Sequence, residues 1–152
     1  MGSKCGTKYK EIERLSKTSY TVKKISGSKI KKGTYYKFVV IAFDKNGEQL
    51  VVSKTIYVAT AGGKVGNCKS VKLNKKKISL KKNKKVKINA PVVAKSKKLK
   101  IKKYRGIAFE SSNPNIASVN GKGEIKAKKK GKCTIYVYAQ NGISNKVTVH
   151  VK

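Results

Sequence analysis

The stretch ESSNPNIASVNGKGEI, residues 110–125, decides between two very different accounts of this chain. It is rich in Ser, Asn and Gly, a composition shared by phosphate-binding loops and by the turns of β-proteins. A phosphate loop needs a strand before it and a helix after it, and the NGKG at 120–123 has no helical pattern beside it. The IASV at 116–119 instead alternates as a short strand does. We therefore interpret the stretch as two strands with their turns.

The polar residues of this stretch are expected to shape its turns. Short hydroxyl and amide side chains bond readily to nearby main-chain groups. We expect Ser111, Ser112 and Asn113 to do so and to form the turn before Pro114.

Outside this stretch, apolar residues alternate with a period of two, and helical periodicity is nearly absent. Turn residues recur every ~8–12 positions, which is typical of an all-β sandwich. The predicted strands lie at 8–15, 19–25, 33–44, 49–60, 68–74, 76–83, 84–94, 107–112, 116–120, 124–128, 132–140 and 143–152, with 95–106 as a basic loop or an edge strand.

Several details of the first half carry specific predictions. GTYYKFVVIAFD (33–44) is the strongest strand, and KNGE (45–48) predicts a hairpin turn through its Asn-Gly pair. AGGKVGN (61–67) has three glycines in seven residues and is typical of a linker or domain joint. MGSK (1–4) is typical of an initiator and expression remnant, so we assign it no strand. Along 33–44, the period of two places four residues on one face: Tyr36, Phe38, Val40 and Ala42.

Charge is the most unusual property of the composition. The chain has 39 Lys and Arg against 6 Asp and Glu, a net charge of +33. Residues 1–62 hold 13 basic and 4 acidic residues, and residues 63–152 hold 26 and 2. Only Arg14 and Arg105 are arginines. Because the ammonium group of lysine is a point charge rather than a bidentate fork, this surface predicts diffuse attraction to anions and no specific nucleic-acid recognition.

The sequence offers little material for catalysis or for a metal site. Cys5, Cys68 and Cys133 form no CxxC pattern, so we expect no metal and no cofactor. Cys133 lies on the apolar face of a predicted strand and is expected to be a buried, inert thiol. Whether Cys68 and Cys133 pair in an oxidising exterior stays open. The only histidine, His150, is expected to face solvent between two inward valines.

Acidic pairs are the other possible sign of an enzyme. Glu11 and Glu13 share a face of the predicted strand at 8–15 and would be the carboxylates of a hydrolase, a reading we rank last. Asp44 and Glu48 flank a hairpin and are too few to hold calcium. We expect a non-enzymatic protein. No stretch approaches the ~20 apolar residues of a membrane span, so we expect no membrane insertion, and no signal peptide is recognised.

The strand CTIYVYAQ (133–140) suggests a candidate binding site. Its alternation places Tyr136 and Tyr138 together on the face opposite Cys133 and Ile135. Exposed aromatic rings flanked by ammonium groups could stack sugars or bases while the cations meet anions. The alternative is that both tyrosines are ordinary cross-strand packing partners. The candidate ligand-binding residues are Tyr136, Tyr138, Lys126, Lys128, Lys129 and Lys130.

The second half of the chain resembles the bacterial immunoglobulin-like domain, group 2. The resemblance covers about residues 68–152 and rests on an ordered pattern: an aromatic residue, Ser-Ser-Asn, a hydrophobic-Ala-x-Val segment, Gly-x-hydrophobic-x-Ala and Gly-x-x-x-Ile. The matching positions are Phe109, Ser111, Ser112, Asn113, Ile116, Ala117, Val119, Gly123, Ile125, Ala127, Gly131 and Ile135. The family usually has Trp where Phe109 stands and often Gly where Asn83 stands. The resemblance implies an immunoglobulin-like β-sandwich.

The first half resembles the C-terminal part of a fibronectin type III module. The segments IKKGTYYKFVVIAF and SKTIYVAT carry this resemblance, which covers about residues 8–60. It implies that Tyr36 is the corner tyrosine, whose hydroxyl bonds back to the main chain. The first strands of such a module are missing. We accordingly expect a partial fibronectin type III-like module at 1–62, a Gly-rich joint at 63–67 and a bacterial Ig-like domain at 68–152.

These resemblances imply a spacer or adhesion module of a bacterial cell-surface or secreted protein, located outside the cell. Its partners would be the neighbouring domains of a larger parent protein. The net charge of +24 on residues 63–152 adds the hypothesis of binding to anionic cell-wall polymers such as teichoic acid. The alternatives are a carbohydrate-binding module that uses the tyrosine row, and a non-specific nucleic-acid binder.

Overall fold

The computed structural model describes residues 1–152, and all of its regular structure is β-strand. It contains no helix long and apolar enough to cross a membrane. The prediction of an all-β fold is therefore confirmed. The chain forms two compact units, one of Met1–Asn67 with Ser96–Tyr104, the other of Cys68–Lys95 with Arg105–Lys152. The strands are β1 Gly2–Lys4, β2 Lys24–Ile25, β3 Ser28–Lys29, β4 Tyr35–Phe38, β5 Ile41–Phe43, β6 Gln49–Val52, β7 Ile56–Ala59, β8 Cys68–Val71, β9 Lys77–Leu80, β10 Lys85–Lys87, β11 Val92–Ala94, β12 Ala108–Ser111, β13 Ala117–Val119, β14 Glu124–Ala127, β15 Gly131–Tyr138 and β16 Ser144–Val151.

The second unit is built around a four-stranded sheet in the order β12-β15-β16-β9. Its pairs are antiparallel except β16 with β9, which run parallel. A three-stranded sheet, β10-β14-β13, and the pair β11-β8 complete the unit. The inward residues of the strands form a closed apolar core. The side chains with no exposed surface include Ala117, Ile125, Ala127, Ile135, Val137, Ala139, Val147, Val149 and Val151.

The stretch at 110–125 takes the conformation that its sequence predicts. It contains the end of β12, all of β13 and the beginning of β14. The Ser111 hydroxyl donates to the carbonyl of Ala117 at 2.6 Å, and the Ser112 hydroxyl accepts from the Thr134 amide at 2.9 Å. Oδ1 of Asn113 accepts the amide of Asn115 at 3.1 Å. These bonds confirm that the polar residues shape turns within the sandwich.

The first unit has a smaller, tyrosine-based core. Its main sheet has the order β1-β4-β7. The unit also contains two separate hairpins, β2-β3 and β5-β6. Tyr35, Tyr36 and Ala59 are its buried apolar residues. The Tyr36 hydroxyl accepts the amide of Lys31 at 3.0 Å, which is the main-chain bond expected of a corner tyrosine.

The segment Ser96–Tyr104 was predicted to belong to the second domain, but it packs in the first unit. The ring of Tyr104 lies 5.1 Å from that of Tyr35 and 5.4 Å from that of Tyr57, in a nearly parallel stack with the latter. The amide of Lys100 donates to the carbonyl of Lys64 at 3.0 Å. Ring contacts of Tyr104 and the backbone bond of Lys100 therefore hold this basic loop in the first unit.

Two predictions of strands in the first half, at 8–15 and 33–44, were wrong. Residues 8–15 form no strand and make only one bridge, between Lys10 and Gly2. The predicted strand at 33–44 is two strands, and Val40 is 71% exposed. The reason is a change of partner, because β4 pairs with β1 and β7 whereas β5 pairs with β6. Between them, the Val40 amide donates to the Ser53 hydroxyl at 2.9 Å. The hairpin turn predicted at 45–48 does connect β5 with β6.

The N-terminal tetrapeptide and the glycine-rich joint also belong to the packed structure. Gly2–Lys4 forms β1, and Ser3 is only 2% exposed. The Asn67 side chain makes a pair of bonds with the backbone of Ala59, at 2.8 Å to its amide and 2.7 Å to its carbonyl. Residues 63–67 are thus anchored to β7 rather than extended as a free linker.

Candidate functional site

The structure brings the two predicted tyrosines together on the outer face of the four-stranded sheet. The ring centroids of Tyr136 and Tyr138 lie 6.2 Å apart with the planes inclined at 25°. Both rings are half-buried, since the cross-strand neighbours cover part of each. Tyr136 lies opposite Glu110 on one side and Lys146 on the other. We call Tyr136 and Tyr138 the tyrosine row.

The four predicted lysines do not surround the tyrosine row. Lys126 lies on β14 of the other sheet, opposite Lys85 and Ser118, with its neighbours Ile125 and Ala127 buried. Its side chain therefore leaves the opposite face of the sandwich. Lys128, Lys129 and Lys130 lie in the turn before β15, and Tyr136 is about 20 Å further along that strand. The predicted site is therefore two separate surfaces.

The lysines of this turn join others that lie far away in sequence. The amide of Asn83 donates to the carbonyl of Ala127 at 3.0 Å, and the Ala127 amide donates to the carbonyl of Lys84 at 3.0 Å. The turn at 81–84 thus lies beside the turn at 128–130. The amide of Lys152 donates to the carbonyl of Leu80 at 2.9 Å, which places the C-terminal lysine at the same end of the sandwich.

We call this surface the lysine pole, and define it as Lys81, Lys82, Lys84, Lys128, Lys129, Lys130 and Lys152. All seven side chains are exposed, and none has an ion pair. The two acidic residues of the unit lie elsewhere: Glu124 is 3.0 Å from Lys85, and Glu110 is opposite Tyr136. Lys81, Lys82, Lys84 and Lys152 were missed from the sequence. The run KKNKK at 81–85 is visible in the sequence, but only the pairing of the strands shows that it lies beside the turn at 128–130.

The order of strands and turns can now be compared with known families. The sequence model described as Bacterial Ig-like domain (group 2) matches residues 67–151. The chain belongs to this bacterial Ig-like family. The match begins close to the boundary between the two units, and it covers the tyrosine row and all of the lysine pole except Lys152. The resemblance of residues 8–60 to a fibronectin type III module stays a prediction, supported by the Tyr36 bond alone.

Other comparisons add the likeness of solved structures. Domains 4 and 5 of the S-layer protein SbsC align with a TM-score of 0.45 and 16% identity, over 83% of this chain and 86% of that one. A longer structure of the S-layer protein rSbsC(31-844) aligns with a TM-score of 0.44 and 17% identity, over 84% of this chain and 21% of that one. Comparison with curated proteins gave no match.

In the first unit, Glu11 takes part in an exposed ion pair and Asp44 closes a turn. Glu11 lies in irregular structure with its carboxylate 3.0 Å from Nε of Arg14. The hydrogen bond and charge of Arg14 lower the pKa of Glu11, which is the wrong direction for a general acid. Oδ1 of Asp44 accepts the amides of Asn46 and Glu48 at 2.9 and 2.8 Å and so closes the β5-β6 turn.

His150 and the three cysteines are the remaining residues that could carry chemistry. Val149 and Val151 have no exposed surface, and His150 between them lies on the half-exposed outer side of β16, as predicted. All three cysteines are free thiols, and Cys68 and Cys133 are buried. Burial raises the pKa of both, so the thiolate form that reacts is disfavoured. No three His, Cys, Asp or Glu side chains come together as metal ligands would.

Proposed function

We propose that this chain is a non-enzymatic module of a bacterial cell-surface or secreted protein. It acts outside the cell as a spacer or adhesion domain, next to further domains of a larger parent protein, and it associates with anionic cell-wall polymers. Membership of the bacterial Ig-like family supports the module assignment. The single observation that carries the polymer association is the charge of residues 63–152, which hold 26 basic residues and only 2 acidic ones.

The chemistry of this charge favours a polymer over a small or specific ligand. Arg105 is the only arginine of the second unit, so bidentate forks for carboxylate, phosphate or guanine are almost absent. Ammonium groups spread over a rigid surface attract any dense array of negative charges, and the attraction fades as salt screens it. Teichoic acid presents phosphates in such an array on a bacterial wall.

The arrangement of side chains supports a non-enzymatic role. Glu11 is ionised and paired, and the apolar side of β15 and β16 is filled by core residues. The concave surface beside Glu11 is an open groove lined also by Ile12 and Tyr20, with lysines. It holds neither a nucleophile beside a base nor a pair of opposed carboxylates.

The direct test is binding of the full chain to immobilised surfaces across a salt series. The surfaces are intact Gram-positive wall, the same wall stripped of teichoic acid, and duplex DNA. We expect stripping to remove most of the binding at physiological salt, and wall binding to persist at salt concentrations where DNA is released. Unchanged binding to stripped wall would refute the polymer association.

A second candidate function is recognition of a neutral glycan by the tyrosine row. The stacked rings of Tyr136 and Tyr138 form an apolar platform, and Glu110 and Lys146 beside Tyr136 provide hydrogen-bonding groups at its edge. Binding of neutral oligosaccharides that survives high salt and is lost in Tyr136→Ala with Tyr138→Ala would support it. Tyr20→Ala is the control, since Tyr20 is an exposed ring of the first unit. Equal affinity in the parent chain and the double variant would exclude the row.

A further inference from the structure

The lysine pole is assembled from three parts of the chain that the fold forces together. The turns at 81–84 and 128–130 are joined by the two bonds between Asn83, Lys84 and Ala127. Val151 pairs with Leu80 on one side and with Gly131 on the other, so Lys152 lies between the two turns. The pole therefore occupies the end of the sandwich where β9 and β14 end and β15 begins. The tyrosine row extends to Tyr138 at the opposite end of β15.

This concentration of like charge has no internal compensation. Neither Glu110 nor Glu124 lies at this end, because Glu110 pairs across from Tyr136 and Glu124 across from Lys87. Ammonium groups on adjacent turns repel one another, and the repulsion opposes the compact state. A bound polyanion would remove the repulsion and would stabilise the folded unit by mass action.

The side chains absent from the pole narrow the ligand class. It contains no arginine and no aromatic ring, so it has no group that stacks on a base or reads a base edge. It also contains no exposed large apolar side chain, so it has no group that would insert into the hydrocarbon of a lipid surface. What remains is a set of point charges on rigid turns, which suits a flexible chain of closely repeated phosphates.

We propose that the lysine pole is the docking site of a flexible polyol-phosphate chain of the teichoic acid type, which contacts lysines from all three segments at once. This inference rests on the proposed association with anionic wall polymers and assigns it to one end of the Ig-like domain. It predicts that the position of the lysines, and not the net charge alone, determines the affinity.

The test compares two variants of the full chain that have equal net charge. The pole variant carries Lys81→Gln, Lys82→Gln, Lys128→Gln and Lys129→Gln. The control variant carries four substitutions at exposed lysines away from the pole: Lys69→Gln, Lys72→Gln, Lys87→Gln and Lys122→Gln. The probes are poly(glycerol phosphate) of defined length, duplex DNA, and vesicles with an anionic lipid fraction. Affinity is measured at several salt concentrations, and Tm with and without poly(glycerol phosphate).

We expect the pole variant to lose at least about 30-fold in affinity for poly(glycerol phosphate), and the control variant less than about 3-fold. In the pole variant alone, the slope of log affinity against log salt concentration should become shallower by roughly 0.7 to 0.9 per lost contact. The polymer should raise Tm in the parent and control but not in the pole variant. Equal losses in both variants would overturn the pole as a site, while the wall association would stand. Pole-dependent binding of DNA or vesicles as tight as that of the polymer would overturn the ligand class. Absence of any polymer binding by the parent chain would refute the proposed function itself.

Discussion

The two units of this chain both contain apolar strands, with different results. In the second unit, the alternation along β15 and β16 buries Ile135, Val137 and Val147 completely. In the first unit, β6 is a continuous apolar run after its first residue, and its neighbouring side chains Leu50 and Val51 are 66% and 61% exposed. Apolar sequence therefore predicts a strand in both units but a core in only one.

The difference follows from what lies opposite each apolar face. The second unit places its three-stranded and four-stranded sheets so that their inward residues share one core, as a sandwich does. The first unit has one three-stranded sheet, and its core contains Tyr35 and Tyr36, with the partly exposed ring of Tyr104 from a distant segment packed against Tyr35. Rings that bury much area with a polar tip can substitute for a second sheet on a small scale. A two-stranded hairpin cannot bury both of its faces.

The largest effect that tests this comparison comes from truncating one apolar side chain in each unit. We expect Ile135→Ala to lower the free energy of unfolding by ~2–5 kcal/mol, because its side chain is wholly buried. Leu50→Ala in the exposed hairpin should change it by less than ~0.5 kcal/mol. Urea unfolding followed by circular dichroism measures both. A large loss in Leu50→Ala would mean that the hairpin is covered in solution.

A glycine pair gives the next largest contrast. Gly123 has a φ of +78°, and a Cβ there would lie 2.8 Å from the carbonyl oxygen of Ile88. Gly47 has a φ of +86° but open space around it. We expect Gly123→Ala to cost more than ~2 kcal/mol, from strain and overlap together, and Gly47→Ala to cost ~1 kcal/mol from strain alone. Similar costs in thermal unfolding would show that packing around β14 yields easily.

Removal of one hydroxyl examines the small core of the first unit. Tyr36→Phe deletes the acceptor of the Lys31 amide while leaving the ring in place. We expect a loss of ~1 kcal/mol in unfolding free energy. Tyr20→Phe is the matched control, because that ring is half-exposed and its hydroxyl makes no bond. Equal stabilities of the two variants would contradict a structural role for the corner bond.

The smallest effect concerns the ion pair between Glu11 and Arg14 in the first unit. Arg14 holds the pKa of Glu11 below its ordinary value, so the pair contributes only when Glu11 is ionised. Its contribution is present above the ordinary glutamate pKa and is lost as the pH falls through the lowered one. In Arg14→Gln, an NMR titration should show the pKa of Glu11 rising toward its ordinary value. An unchanged titration would mean that the pair does not persist in solution.

Much of the second unit could be predicted from sequence because its signals are local. The strands at 107–112, 124–128 and 132–140 lie within two residues of β12, β14 and β15. The turn residues between them act through bonds of a few positions, such as that from Asn115 to Asn113. The first unit was harder to predict, because its strands change partners at Val40 and its core includes Tyr104. Neither the change of partners nor the packing of Tyr104 is indicated by the neighbouring residues in the sequence.

The candidate sites show the same division. Tyr136 and Tyr138 share a face by the period of the strand alone, and the structure stacks them. The expected lysine neighbours were chosen by closeness in sequence, which fails when a strand carries the chain ~20 Å away. The lysine pole required the parallel pairing of β16 with β9 and the bonds between the turns.

By itself, the sequence determined the all-β class, the family of residues 67–151, the excess of positive charge and the inward side of the long strands β15 and β16. These properties depend on composition and on the two-residue period of the β-strand, and both can be read directly from the sequence. Only the tertiary structure decided that β1 joins the first sheet, that Ser96–Tyr104 packs there, and that seven lysines from three segments meet at one end. Those outcomes depend on pairing between distant strands, where the free energy comes from burial and hydrogen bonds that no local segment contains.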